Sequence, residues 1–355
     1  MRKWLLAFTL GSVYLIAYSS VLSAGFVYED RYFIDPQFRE SLSLTVRSLS
    51  TASFAIQDGA SPSAHHVANL LLHASVAVLV WAWLYLTGFS ISASWVGATL
   101  ILWHPMAVEA TAYIAGRPDL IAGFLVMLAC CLANLGAVSR AACVGAVMVA
   151  LLSGTGKDVG LIACLFVPLI LMSRRQWWRA AGCTIVLAGA GAALWGEHVL
   201  ATLRWSIAGN GMGARVIQQV DPVEWIRWQS TAAVRMIGLL PVPIGQNVVF
   251  DVELVPVGMQ WLSVAWLLLL ASVSVWLVQR HGKVAGGIAW MLAVIVPRLI
   301  IRTPLSVFNE HQFYLALPGA ALIVAAAWEY CAPRGDSIWT CDLISRWRSY
   351  RAWAV

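Results

Sequence analysis

Apolar runs alternate with short polar breaks over almost the whole chain, at about 3–24, 67–87, 90–103, 119–138, 141–153, 159–173, 178–196, 258–278, 284–301 and 313–330. Most are sized near the ~20 residues that one helical crossing of a bilayer requires. A further apolar segment, 228–243, carries Arg235, Pro241 and Pro243 and reads as a short span or an interfacial piece. The pattern predicts an all-α polytopic membrane protein of 10 or 11 transmembrane helices, with no appended soluble domain. The first run ends in "VLSAG", which resembles a signal-peptidase site, yet the run is long for a signal peptide and better sized for a span. Behind it lies a polar stretch, 25–66, long enough to be a functional extracytoplasmic loop.

Composition agrees with the pattern. Hydrophobic residues make up 60% of the 355 and charged residues 11%, against about half and about a quarter in soluble domains. Positive residues gather at Arg2 and Lys3, at Arg140, at Arg174, Arg175 and Arg179, at Arg280 and Lys283, and in a basic tail, 331–355. They mark that side as cytoplasmic, so the net charge of +6 is an orientation signal and no argument for nucleic acid. The 19 Trp include several that flank spans, as interfacial anchors do. The seven Cys show no CxxC and no metal-ligand spacing, and read as small hydrophobes.

Orientation brings four polar breaks together on the opposite face: Glu29/Asp30, His104 to Asp119, Lys157/Asp158 and Glu310/His311. The parity requires 228–243 to be re-entrant, or one break to move. Ionisable groups beside spans are costly, so they pair, line a cavity or work. Glu29 and Asp30 suit a general base with a helper, or a metal site, but equally a solvated pair beside Arg31. His66, Asn69 and His73 share a helix face and suit a substrate or a polar seam, while His65 falls at the interface. In "HPMAVEATAYIAGRPDL", Pro105 fits a first helical turn behind His104, Glu109 follows, and Gly116 ends the helix ahead of Arg117 and Asp119. The Arg117 fork suits a phosphate, or a snorkelling anchor. In "SGTGKDVG" the glycines expose amides beside Lys157 without Walker spacing, and a Lys157–Asp158 ion pair is the plainer alternative. Arg298, Arg302, Glu310, His311 and Tyr314 flank one late turn, as a second basic edge or as interfacial anchors.

In order and spacing, the acidic pair, His66-x2-Asn69-x3-His73, the 104–120 block, "GKD" at 156–158 and "NEHQFYLALPG" resemble the membrane domain of the transmembrane and tetratricopeptide-repeat O-mannosyltransferases and their bacterial relatives, GT-C class integral-membrane glycosyltransferases. The resemblance covers about 1–330. It implies a GT-C-like bundle that takes a sugar from a polyprenyl-phosphate carrier on the extracytoplasmic face and passes it, with inversion, to an acceptor hydroxyl on protein, glycan or lipid. Asp30, with Glu29 close behind, would be the base. Arg117 and Lys157, with Arg302 or His311, would meet the phosphate, and Glu109, His66, His73, His104 and Glu310 would complete the substrate site. A divalent metal is a candidate cofactor, membrane proteins are candidate partners, and a bacterial inner membrane with the site facing the periplasm is the implied location. The chain departs from the family in Glu29-Asp30 for Asp-Asp, Lys157-Asp158 for Lys-Glu, Glu310-His311 for Glu-Arg, and in having no repeats. Those departures keep an inactive accessory subunit of a membrane complex as the alternative; a lipid-linked-sugar transporter would show inverted hydropathy repeats, which are not evident.

Overall fold

The computed structural model describes residues 11–27, 30–35, 47–208, 221–244, 252–301 and 310–332. Among them every regular element is helical and none is a strand. The chain is an all-α polytopic membrane protein. Six helical segments are long and apolar enough to cross a bilayer: Pro62–Leu86, Ile114–Gly136, Trp177–Ala201, Val257–Leu277, Gly282–Ile300 and His311–Cys331. A bent pair, α5 (Ile91–Trp103) and α6 (Met106–Ala112), which meet at 60°, passes the same test only when the two helices are taken together. Of the 10 or 11 expected spans, 141–153 and 159–173 correspond to α8 (Arg140–Leu152) and α9 (Ala163–Ser173), apolar helices that are too short to qualify singly. The first span is described only from residue 11, as helix α1 (11–17).

Local chemistry sets several boundaries. Helix α4 (Pro62–Leu86) begins at Ser61, whose hydroxyl accepts from the Ala64 amide, with Pro62 in the first turn. Ser90 caps α5 and Ser139 caps α8 in the same way. Helix α7 (Arg117–Gly136) starts behind Gly116, where a Cβ would lie 2.5 Å from the Ala110 carbonyl oxygen, so only glycine lets the chain turn there.

Two ends of the bundle can be told apart by what holds them. At one, Arg174 donates to Asn134 and to the Leu86 carbonyl, Arg179 to the Gly136 carbonyl, and Lys283 pairs with Glu329 at 2.8 Å. These tie the ends of α4, α7, α9 and α10 (Trp177–Ala208), and α13 (Gly282–Ile300) to α14 (Leu317–Cys331). Trp177 and Trp178 are exposed there, as expected at an interface. The other end gathers Asp30, Glu109, Asp119, Lys157 and His311. Helix α11 (Pro222–Leu239) has both of its ends tied to this second end: the Trp225 indole donates to the Arg298 carbonyl, and the Leu240 carbonyl meets His104. The segment 228–243 thus falls largely within a helix whose two ends are both tied to this end of the bundle.

The core mixes aliphatic side chains with small residues and aromatics, and close backbone approach helps hold the helices, since no hydrophobic force drives them together in lipid. Helices α13 and α14 touch at Gly287 and Gly319, where a Cβ on either would stand 2.6 Å from the other's carbonyl oxygen. Trp290 stacks on Phe166 with ring centroids 3.7 Å apart and donates to the Leu315 carbonyl. The cysteines behave as small hydrophobes: Cys130, Cys131 and Cys183 are buried, and every described cysteine is free. Gly319→Val should force α13 and α14 apart and lower stability by about 1–3 kcal/mol, read as an earlier thermal transition of the purified protein. Gly286→Ala, whose Cβ would meet only Leu322 at an ordinary 3.5 Å, should leave it unchanged.

Candidate functional site

The polar groups of the second end form four linked clusters. Asp30 opens the short helix α2 (Asp30–Ile34) and is 0% exposed. Its Oδ2 accepts from the Val27 amide and its Oδ1 from the Ala115 amide, both at 2.8 Å. Burial pushes its carboxyl above the ordinary carboxylate range, while the two amides and the nearby His66 and Arg117 pull it back. His66, in the first turns of α4, is 2% exposed, and its ring faces the Ala24 and Ala112 backbone. Asp30 therefore stands beside a buried imidazole.

Arg117 is the hub of this cluster and is 1% exposed. Its Nε donates to Asn69 Oδ1 at 2.8 Å, Nη1 to the Ser53 carbonyl at 3.3 Å, and Nη2 to the Nδ1 and carbonyl of His65, both at 3.1 Å. The guanidinium also lies 4.2 Å over the Phe54 ring. Asn69 in turn donates to the Tyr113 carbonyl at 3.0 Å. The fork expected to meet a phosphate is committed to the protein, and Arg117 is neither a snorkelling anchor nor an open ligand. His65 is not an interfacial residue but a buried acceptor for Arg117. Ser53 and Phe54 come from α3 (Ser48–Ala55), so Arg117 clasps the long loop to the bundle.

Two residues further along α7, Asp119 receives Lys157 Nζ on both oxygens at 2.8 Å. The pair is buried, and it stands in place of the Lys157–Asp158 ion pair that the sequence offered as an alternative. Lys157 is extended (φ −160°, ψ 149°), so it points away from its neighbour. The turn is held from the loop side, because Ser50 donates to the Gly156 carbonyl at 2.5 Å, and a Cβ on Gly156 would strike the Ala122 amide at 2.8 Å. Arg47 and Arg298 interact electrostatically with Lys157, and Arg298 with both Asp119 and Asp158. Among the described residues, three cations thus interact with two carboxylates. Arg47, in left-handed backbone (φ 79°) ahead of α3, carries no sequence signal beyond its charge and was missed.

His73 Nδ1 meets the Tyr314 hydroxyl at 2.8 Å, inside a ring of Tyr14, Tyr18 and Tyr314. This is a polar seam between helices rather than part of the Asp30 cluster. Glu109 accepts from the His311 amide at 2.7 Å and from its Nδ1 at 2.9 Å, joining α6 to the turn ahead of α14. His104 accepts from the Met106 amide at Nδ1, so its proton sits on Nε2 and is donated to the Leu240 carbonyl at 3.0 Å. It is the pin of the 60° bend, away from the acid. Glu29 and Arg302 lie outside the described residues, as does the side chain of Glu310. No group of three or more His, Cys, Asp or Glu among the described residues is placed to hold a metal ion.

No family model, no curated protein and no solved structure matches the chain.

Removing one partner of a buried pair strands the other, at a cost of about 3–5 kcal/mol. Asp119→Asn should destabilise the protein by that order, and Asp119→Leu with Lys157→Met by clearly less. Thermal unfolding of the two purified variants and the wild type measures the difference.

Proposed function

We propose that this protein is a GT-C-type glycosyltransferase that moves a sugar from a polyprenyl-phosphate carrier to an acceptor hydroxyl at the face opposite the arginine-rich end, which in a bacterial inner membrane is the periplasmic face. The observation that carries the reading is the pairing of opposites at one end: a buried, amide-held carboxylate on one side of the α7 start and a cation-rich cluster on the other.

In the proposed step Asp30 takes the proton from the acceptor hydroxyl. The hydroxyl oxygen bonds to the anomeric carbon as the bond to the carrier oxygen breaks, and the sugar inverts. The carrier phosphate leaves with the electron pair and gains charge in the transition state, which Arg298, Arg47 and Lys157 are suited to stabilise. Arg117 positions rather than binds: it holds Asn69, His65 and the loop, and its charge favours the ionised form of Asp30.

A second reading, a GT-C-fold accessory subunit without turnover, is favoured by a specific feature. Asp30 is fully enclosed and both its oxygens accept from amides, while Arg117 and Lys157 are engaged by the protein. Transfer therefore requires the loop carrying Asp30 to open over its partners.

A radiolabelled polyprenyl-phosphate sugar added to membranes containing the protein separates the readings. Asp30→Asn should lower transfer by at least about 10²-fold with normal accumulation in membranes, and Glu29→Gln by less. Transfer by both variants at the wild-type rate would end the base assignment; no turnover by wild type, with stoichiometric partners copurifying, would favour the accessory reading. For an active enzyme, kcat/KM should rise with pH through a pKa above the usual ~4, because burial raises Asp30 and only its ionised form accepts the proton. A profile already flat from about pH 4 upward contradicts this.

A further inference from the structure

At the arginine-rich end two thiols meet between helices α8 and α10. Cys143 Sγ lies 3.4 Å from Cys183 Sγ, and both cysteines are free. The two residues are 40 positions apart, so the fold makes the pairing. Gly136 permits it: a Cβ there would stand 3.0 Å from the Cys143 Cα, so the bare glycine lets α8 close on the end of α7. Arg179 of α10 donates to the Gly136 carbonyl, and Cys183 follows one turn later on the same helix face. Ala180, Cys183 and Leu187 form the buried stripe of that face.

The geometry suits a covalent bond. A disulfide is about 2.05 Å long, so closing the gap asks about 0.7 Å of each sulfur. The two sulfurs differ in access. Cys183 is 6% exposed, whereas Cys143 is half-buried. Cys143 lies three residues beyond Arg140, the start of α8, and Cys183 six beyond Trp177, the start of α10. At ~1.5 Å per residue these are depths of about 5 and 9 Å along the two helices. Charged species are costly at such depths. A reagent for this pair is therefore neutral, and Cys143 is the sulfur it meets first.

We infer that Cys143 and Cys183 are a reversible oxidation site, at which a neutral hydroperoxide makes a disulfide that staples α8 to α10. Cys143 Sγ attacks the terminal peroxide oxygen. The O–O bond breaks, and the alcohol leaves with the electron pair and the thiol proton. Cys143 is then a sulfenic acid. Cys183 Sγ attacks Cys143 Sγ, the S–O bond breaks, and the departing hydroxide takes the Cys183 proton to leave as water. Together the thiols lose two electrons, and the hydroperoxide becomes one alcohol and one water. A thiol already in place beside the sulfenic acid also keeps it from passing on to the irreversible sulfinic acid. The inference is independent of sugar transfer, and holds for an enzyme or an accessory subunit alike.

The test uses the full chain purified in detergent under reductant, desalted, and treated with cumene hydroperoxide. The tryptic peptides 141–157 and 180–204 should then run as one linked species that dithiothreitol separates. Cys183→Ser should block the link and raise sulfinic acid on Cys143 at least about fivefold. Cys143→Ser should block the link and leave the more enclosed Cys183 a thiol. Oxidised glutathione, bulky and charged, should form the link at least about tenfold more slowly than the hydroperoxide. Exposed Cys331 reports that each oxidant is active. Oxidation of Cys331 by the hydroperoxide with no link between 141–157 and 180–204 would overturn the inference. So would a link formed as fast by oxidised glutathione, or a Cys183→Ser protein with no added sulfinic acid. If a variant fails to accumulate, the wild-type link and the comparison of the two oxidants decide.

Discussion

One buried guanidinium organises the acid-bearing end of this protein. Arg117 sits at the start of a membrane helix and is sealed from solvent, where an unpaired charge would be costly. Neutral dipoles and an aromatic face surround it, from Asn69, His65, Ser53 and Phe54. Each contact fixes a different element. Asn69 and His65 hold α4, Ser53 and Phe54 hold the loop helix α3, and Asn69 reaches on to the Tyr113 carbonyl ahead of α7. The amide that holds Asp30 belongs to Ala115, two residues before Arg117. The acid is therefore placed by the same turn that places the cation.

That turn also explains why the clusters are contiguous without sharing side chains. From Tyr113 to Asp119 the chain leaves a bent span, turns at Gly116 and enters α7. Its amides and carbonyls serve the Asp30 side while Asp119 serves the Lys157 side. His104 fixes the bend before it by giving its one ring proton to Leu240, and Glu109 fixes the far wall through His311. The end of the bundle is a set of loops cross-tied by charged and polar groups, laid over a membrane domain held by glycine contacts and aromatic stacking.

Much of this was legible in the sequence, because hydropathy dictates spans and basic loops dictate sidedness. The long apolar helices and the gathering of Asp30, Glu109, Lys157 and His311 at one end were readable by those rules. Partner choice was not. His66, Asn69 and His73 share a helix face, yet they serve the Asp30 side, Arg117 and a tyrosine ring respectively, since a face says nothing of what stands opposite it. His65 lay off that face and looked interfacial, but the loop helix α3 folds over it. Lys157 has an acidic neighbour in sequence and chooses Asp119, 38 positions away, because extended backbone turns adjacent side chains apart. Arg47 had no motif at all; only the return of the long loop brings it to the other cations.

The two ends of the bundle handle cations in opposite ways, and the contrast bears on function. At the arginine-rich end, cations sit where headgroups and water can solvate them, so their number needs no internal compensation. At the other end Lys157 is buried and two carboxylates are shared among three cations. Asp119 is taken by Lys157 on both oxygens, while the exposed Asp158 interacts electrostatically with both Arg298 and Arg47. An excess of positive charge held against a low-dielectric domain is unfavourable unless something anionic relieves it.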